Sequence, residues 1–128
     1  MTAVILSPVY RSKPRIKFEA MEILLQNLGP RTSRDVIERA VYEISERLCK
    51  LQEELLEGNQ QHVRTIALRL VAISRQIGLV GFSDVATDLV ECIDRRDRTA
   101  TSAVAARLIR LGESSMFQAV QFADMTGA

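Results

Sequence analysis

Tryptophan is absent from this chain of 128 residues, and cysteine, histidine and proline are scarce, at two, one and three. Each shortage closes off a class of protein. Cys49 and Cys92 have no CxxC spacing and fall within helical patterns, so no disulfide framework is expected and both are read as reduced, mostly buried thiols. Two cysteines and a lone histidine, His62, cannot complete a zinc site without carboxylates, and no ligand spacing is visible. Neither a metal nor a cofactor is expected. Aromatic residues make up only 5%, and clusters of Thr, Tyr, Phe and Trp are nearly missing, which argues for helices over strands. No apolar run approaches the roughly 20 residues that span a bilayer, and "MTAVILSPVYRSK" lacks the basic-then-apolar order of a secretory leader. A cytoplasmic chain with no membrane segment is the expectation. The net charge of +1 supplies no global field to steer nucleic acid. Basic residues gather only at Arg11, Lys13, Arg15 and Lys17, with no interleaved aromatics and no reading helix, so nucleic acid is not an expected partner. A phosphate-cradling glycine loop and a catalytic triad are also missing, and no enzyme is expected.

What remains is a chain of single-domain size that is 47% apolar and 26% charged, the balance of an ordinary globular protein. Residues 1–15, with Pro8 and Pro14, read as a flexible basic arm, and residues 16–128 as one helical domain. Phe18, Met21, Leu24, Leu25 and Leu28 recur at helical spacing until Gly29-Pro30 stops a short first helix. "TSRD" then offers a capping signal at Thr32, and Ile37, Val41, Ile44, Leu48, Leu51 and Leu55 carry a long second helix to Gly58. Asn59 can cap a third helix, from about Gln60 to Ile77, with Val63, Ile66, Ala67, Leu70, Ile73 and Ile77 along one side and Gly78 and Gly81 bracketing its exit. A fourth helix uses Val85, Ala86, Leu89 and Ile93 and ends near Asp97. The fifth starts around Thr99 and continues through Val104, Leu108, Leu111, Phe117 and Val120. Four long amphipathic helices with short connections predict an all-α, up-down-up-down four-helix bundle with an additional short N-terminal helix.

The third helix carries the functional signal. With Leu70 at the centre of its buried side, the other apolar members of the stripe lie within about 60°, and Leu68 points about 160° away. Arg64, Val71 and Arg75 share that outward side. With Gly78 setting the register, the segment resembles the active helix of the histidine-phosphotransfer (HPt) domain family, which reads H-x-L-K-G. Val63 matches the family's upstream apolar position, Ala67 its small residue, Leu70 its buried leucine, Ala72 the small residue that lets a receiver approach, and Ile77-Gly78 its close. "VATDLVECIDRRD" is similar to the family's next helix and "TSAVAARLIRLGE" to its last, so the resemblance covers roughly residues 34–115. It implies a four-helix bundle that docks receiver domains of response regulators, or histidine-kinase domains, in a bacterial-type phosphorelay.

The departure falls on the reacting positions. Leu68 stands where the family has its phosphoacceptor histidine, and Val71 where it has a lysine. Leucine has no lone pair to attack an aspartyl phosphate, and valine cannot neutralise a transferred phosphoryl group. A rival register on Gly81 puts Val71 at the histidine position and Arg75 at the small one; it fits worse and also lacks histidine. The chain therefore reads as a phosphotransfer-silent member that binds partners through Arg64, Leu68, Val71, Ala72 and Arg75. Two alternatives stay open: a structural bundle, homodimeric through its first or fifth helix, and an active phosphotransfer protein phosphorylated on His62. Against the latter, His62 lies about 120° around and roughly 9 Å along the helix from Leu68, and no carboxylate in the sequence is visibly placed to make it a general base.

Overall fold

The computed structural model describes residues 18–126, which form five α-helices and, within that range, no strand. They are α1 (Phe18–Leu28), α2 (Pro30–Leu56), α3 (Gln60–Gln76), α4 (Val80–Asp94) and α5 (Arg98–Thr126). The basic arm read at residues 1–15 lies outside the described residues.

One turn is used three times. Residues 57–59, 77–79 and 95–97 join α2 to α3, α3 to α4 and α4 to α5, and the middle residue of each has positive φ: Gly58 at 78°, Gly78 at 79° and Arg96 at 59°. Around each, the amide of the third turn residue donates to the carbonyl five residues earlier, as Asn59 N–H to Glu54 O, Leu79 N–H to Ser74 O and Asp97 N–H to Cys92 O. The amide of the positive-φ residue donates to the carbonyl three residues earlier. This is the Schellman arrangement, which satisfies carbonyls that a helix end leaves without partners. The third turn residue also accepts the first bond of the following helix, from Val63, Ser83 and Thr101 respectively. Each helix therefore turns back on its predecessor within three residues.

Several boundaries differ from the sequence expectation for physical reasons. α2 starts at Pro30, two residues before the Thr32 capping signal, because proline's fixed φ and missing N–H suit the first helical turn. Gly29 takes the cap position at φ 83°, without a side-chain bond. Asn59 does not cap α3 with its side chain either; its Nδ2 donates to Glu54 Oε2 at 2.6 Å. α3 ends at Gly78 alone, since Gly81 is already inside α4. α4 stops at Asp94, short of Asp97, which serves α5 instead by accepting the Ala100 N–H at Oδ1 (3.0 Å).

The contacts run in a cycle: α2 against α3, α3 against α4, α4 against α5, α5 against α2, with α1 on α2. One core draws on all five helices, including Met21, Ile44, Leu70, Phe82 and Leu108, each fully buried. Gly112 marks a close approach in the middle of α5. A β-carbon there would lie 2.6 Å from Leu48 Cδ1 and 3.3 Å from Phe82 Cε1, so glycine lets α5 close on α2 and α4 together. Ion pairs tie the helices at the surface: Arg69 to Glu43 at 3.1 Å between α3 and α2, Arg64 to Asp94 at 2.7 Å between α3 and α4, and Arg34 to Asp124 at 2.9 Å between α2 and α5. No helix among the described residues is long and apolar enough to cross a membrane. Both cysteines are free. Cys92 is buried as expected, but Cys49 is exposed, because it sits one residue past the buried Leu48 and falls off the stripe.

Candidate functional site

The residues of interest on α3 divide as a 3.6-residue period requires. Val63, Ala67, Leu70 and Ile77 are fully buried, and Ile66 and Ile73 nearly so, whereas Leu68 is 46% exposed. Ala72 and Arg75 are also exposed. Val71 is not a solvent-facing partner for Leu68; it is half-buried and packs against the core, about 60° around the helix from Leu68 toward the buried stripe. The outward surface is thus Leu68 and Ala72 on consecutive turns, with Val71 at its edge.

The arginines differ from one another. Arg64 is half-buried, and both Nε and Nη2 donate to Asp94, at 2.7 and 3.2 Å. That bidentate pairing holds the Asp94 carboxyl below the usual carboxylate range, chiefly through the Arg64 hydrogen bond, and raises Arg64 for the same reason. Arg64 is therefore occupied and oriented toward α4. Arg69 and Arg47 both reach Glu43 Oε2, at 3.1 and 3.0 Å, and hold Glu43 below its ordinary value, Arg47 contributing most. Arg75, exposed in the last turn of α3, has no ion pair among the described residues and is the cation free to meet a partner.

His62 has a neighbour that the sequence did not disclose. Its Nδ1 lies 3.2 Å from Glu54 Oε2, the same oxygen that accepts from Asn59. Lys50 Nζ approaches the other oxygen at 3.5 Å. Glu54 is buried at the end of α2 while His62 is exposed. Hydrogen bonds from Asn59, first, and then His62 keep the Glu54 carboxyl below its ordinary value. The expectation that no carboxylate serves His62 is thus corrected. The tight turn at Gly58 folds the first turn of α3 against the last turn of α2 and brings residues eight apart in sequence into contact. The glycine followed by Asn59 was the available signal, read there only as a stop and a cap.

Chemically, the Leu68 surface offers apolar contact and one free cation, and it presents no nucleophile. A Glu54-oriented imidazole could accept a proton or a phosphoryl group at Nε2, but on a different part of the helix. Among the described residues, no three His, Cys, Asp or Glu side chains gather as a metal-binding group. Comparison with protein-family models, with curated proteins and with solved structures finds no match to this chain.

Proposed function

We propose that this chain is an HPt-like, phosphotransfer-silent docking module for a receiver or histidine-kinase domain of a phosphorelay. The observation that carries the reading is the exposure of Leu68, 46%, two residues from the fully buried Leu70. In the resemblance, Leu70 is the family's buried leucine and Leu68 its reactive position, so an apolar side chain stands outward where a nucleophile would be. The helix packing supports the same reading. Arg34 meets Asp124 while Leu48 adjoins Gly112, a pairing that descends along α5 as it ascends along α2, and α2–α3, α3–α4 and α4–α5 are each joined by a three-residue turn. An up-down-up-down bundle with α1 added to α2 accounts for this pattern.

Docking would place Leu68 and Ala72 against an apolar patch of the partner, with Arg75 at a charged rim. The test is to titrate the chain into a panel of receiver domains, phosphorylated and not, and to repeat the best case with Leu68→Asp. A carboxylate would have to be desolvated in that contact and would face the acidic pocket of a receiver. A loss of at least tenfold, about 1.4 kcal/mol, is expected with the helical circular dichroism unchanged. Unchanged affinity of a folded Leu68→Asp protein removes α3 from the interface.

The second reading, phosphorylation of His62, draws on the Glu54 contact. Glu54 would hold the Nδ1 proton and leave Nε2 free to attack, forming an N–P bond as the donor aspartate carboxylate leaves. Incubation with a phosphorylated receiver distinguishes the two. The docking reading expects no acid-labile, alkali-stable phosphate, and phosphohistidine lost in His62→Ala establishes the other.

A further inference from the structure

The most exposed aromatic surface is not on α3. Phe117 on α5 is 64% exposed, Met125 82% and Tyr42 on α2 66%. Phe117 stands between two grooves of about 540 Å³ each. One lies between α1 and α5, where Glu22 faces Phe122 and Met125, and the other between α2 and α5, where Glu38 and Tyr42 face Met116 and Val120. Phe117, Phe122 and Tyr42 are half of the chain's six Phe and Tyr residues, a concentration that marks an interface in a protein so poor in aromatics. Among the described residues, the charged side chain lining the first groove is Glu22 and that lining the second is Glu38, with no lysine or arginine. Arg34, 3.8 Å from Glu38, is engaged by Asp124 at 2.9 Å.

The occupant must therefore be apolar, basic and free of acid. A second copy of the same face would set glutamates against glutamates, and like charges at an interface oppose association. Residues 1–17, MTAVILSPVYRSKPRIK, have the required chemistry: Ala3 to Leu6 and Val9-Tyr10 are apolar, Arg11, Lys13, Arg15 and Lys17 follow, and no acidic residue occurs. The connection is also long enough. Seven residues lie between Tyr10 and Phe18, and the eight steps reach about 26 Å when extended, whereas Phe117 to Met125 covers only about 12 Å of helix. Covalent attachment to α1, whose Glu22 lines the first groove, gives the segment a high effective concentration there.

We propose that the N-terminal segment of this chain, residues 3–10, docks intramolecularly on the face around Phe117, with the basic residues that follow it set against Glu22 and Glu38. The contact covers Met125 and Met116 and makes this face a self-occupied site, separate from the Leu68 surface.

Methionine oxidation in the full-length chain tests it. Hydrogen peroxide is applied under native conditions, and sulfoxide at Met125 and Met116 is followed by peptide-resolved mass spectrometry. In wild type, Met125 should oxidise at least about fivefold more slowly than in the double variant Ile5→Asp, Leu6→Asp, and the ratio should not depend on protein concentration. Lys13→Glu with Arg15→Glu, which leaves the apolar residues in place, should raise the rate at least about twofold, with circular dichroism confirming the fold of each variant. Equal rates in wild type and both variants overturn the proposal. Protection that strengthens with protein concentration also overturns it, and assigns the face to a second copy.

Discussion

Leu70 and Leu68 are the same residue type two positions apart on α3, and truncating each to alanine should cost very different amounts. Leu70 is fully buried and Leu68 is 46% exposed. Deleting the isopropyl end of Leu70 forfeits the transfer energy of three carbons and leaves a cavity in a core drawn from five helices, which places the loss at about 2 to 5 kcal/mol. Its neighbours Ile66, Ile73 and Ala67 lie on the same helix and cannot converge on the void without moving the backbone, so the upper half of that range is expected. Leu68 keeps roughly half of its surface in water. About half of the 1.5 to 3 kcal/mol for full burial is at stake, roughly 1 kcal/mol, and alanine's better helix propensity returns a few tenths. Urea unfolding followed by circular dichroism at constant slope gives both values. Equal losses would mean that Leu68 is packed as deeply as Leu70. That result would refute the orientation of α3 and remove the apolar surface on which the docking reading rests.

The remaining predictions concern the turns, the Glu54 cluster and an unpartnered hydroxyl. Arg96 has φ of 59° where its two counterpart turns use glycine; Arg96→Gly should stabilise by about 0.5 to 1 kcal/mol in the same assay, the left-handed penalty relieved less the entropy cost of glycine. Glu54 titrates below its ordinary value of 4.5 in the folded chain, so between that value and the folded one the unfolded state binds more protons. Its contribution is complete above the unfolded value and is lost as pH falls through the folded one; Glu54→Gln should therefore flatten the decline of stability below pH 4.5, measured as urea midpoint against pH. Ser115 is buried with no partner for its hydroxyl among the described residues, so Ser115→Ala should raise stability by about 1 kcal/mol, and an unfolding midpoint that falls would refute the reading of that hydroxyl as unpaired.

Much of this molecule is a consequence of spacing alone. Apolar residues three and four apart in α2 and α3 must face one side of a 3.6-residue helix, so the burial of Ile44, Leu48, Leu70 and Ile77 and the exposure of Leu68 were legible before any coordinates. Gly29, Gly58 and Gly78 announced three of the four turns because positive φ is easy for glycine. The fourth turn was legible as a break near Asp97, but its left-handed residue, Arg96, was not: it carries a side chain, and its conformation goes with the bonds back to Ile93 and Cys92 as α4 packs against α5. Neither side-chain cap expected from Thr32 or Asn59 forms. A proline competes for the first position in one case, and a buried carboxylate for the amide in the other. Contacts between helices decided the rest. Glu54 reaches His62 across a turn, Arg64 is spoken for by Asp94, and Val71 is drawn toward the core. A glycine in the middle of α5, which helix propensity alone would disfavour, is there because two neighbouring side chains leave no space for a β-carbon. Periodicity within one helix says which side is buried; what a side chain meets there depends on a second helix, whose register is settled only when all of the apolar stripes are packed at once.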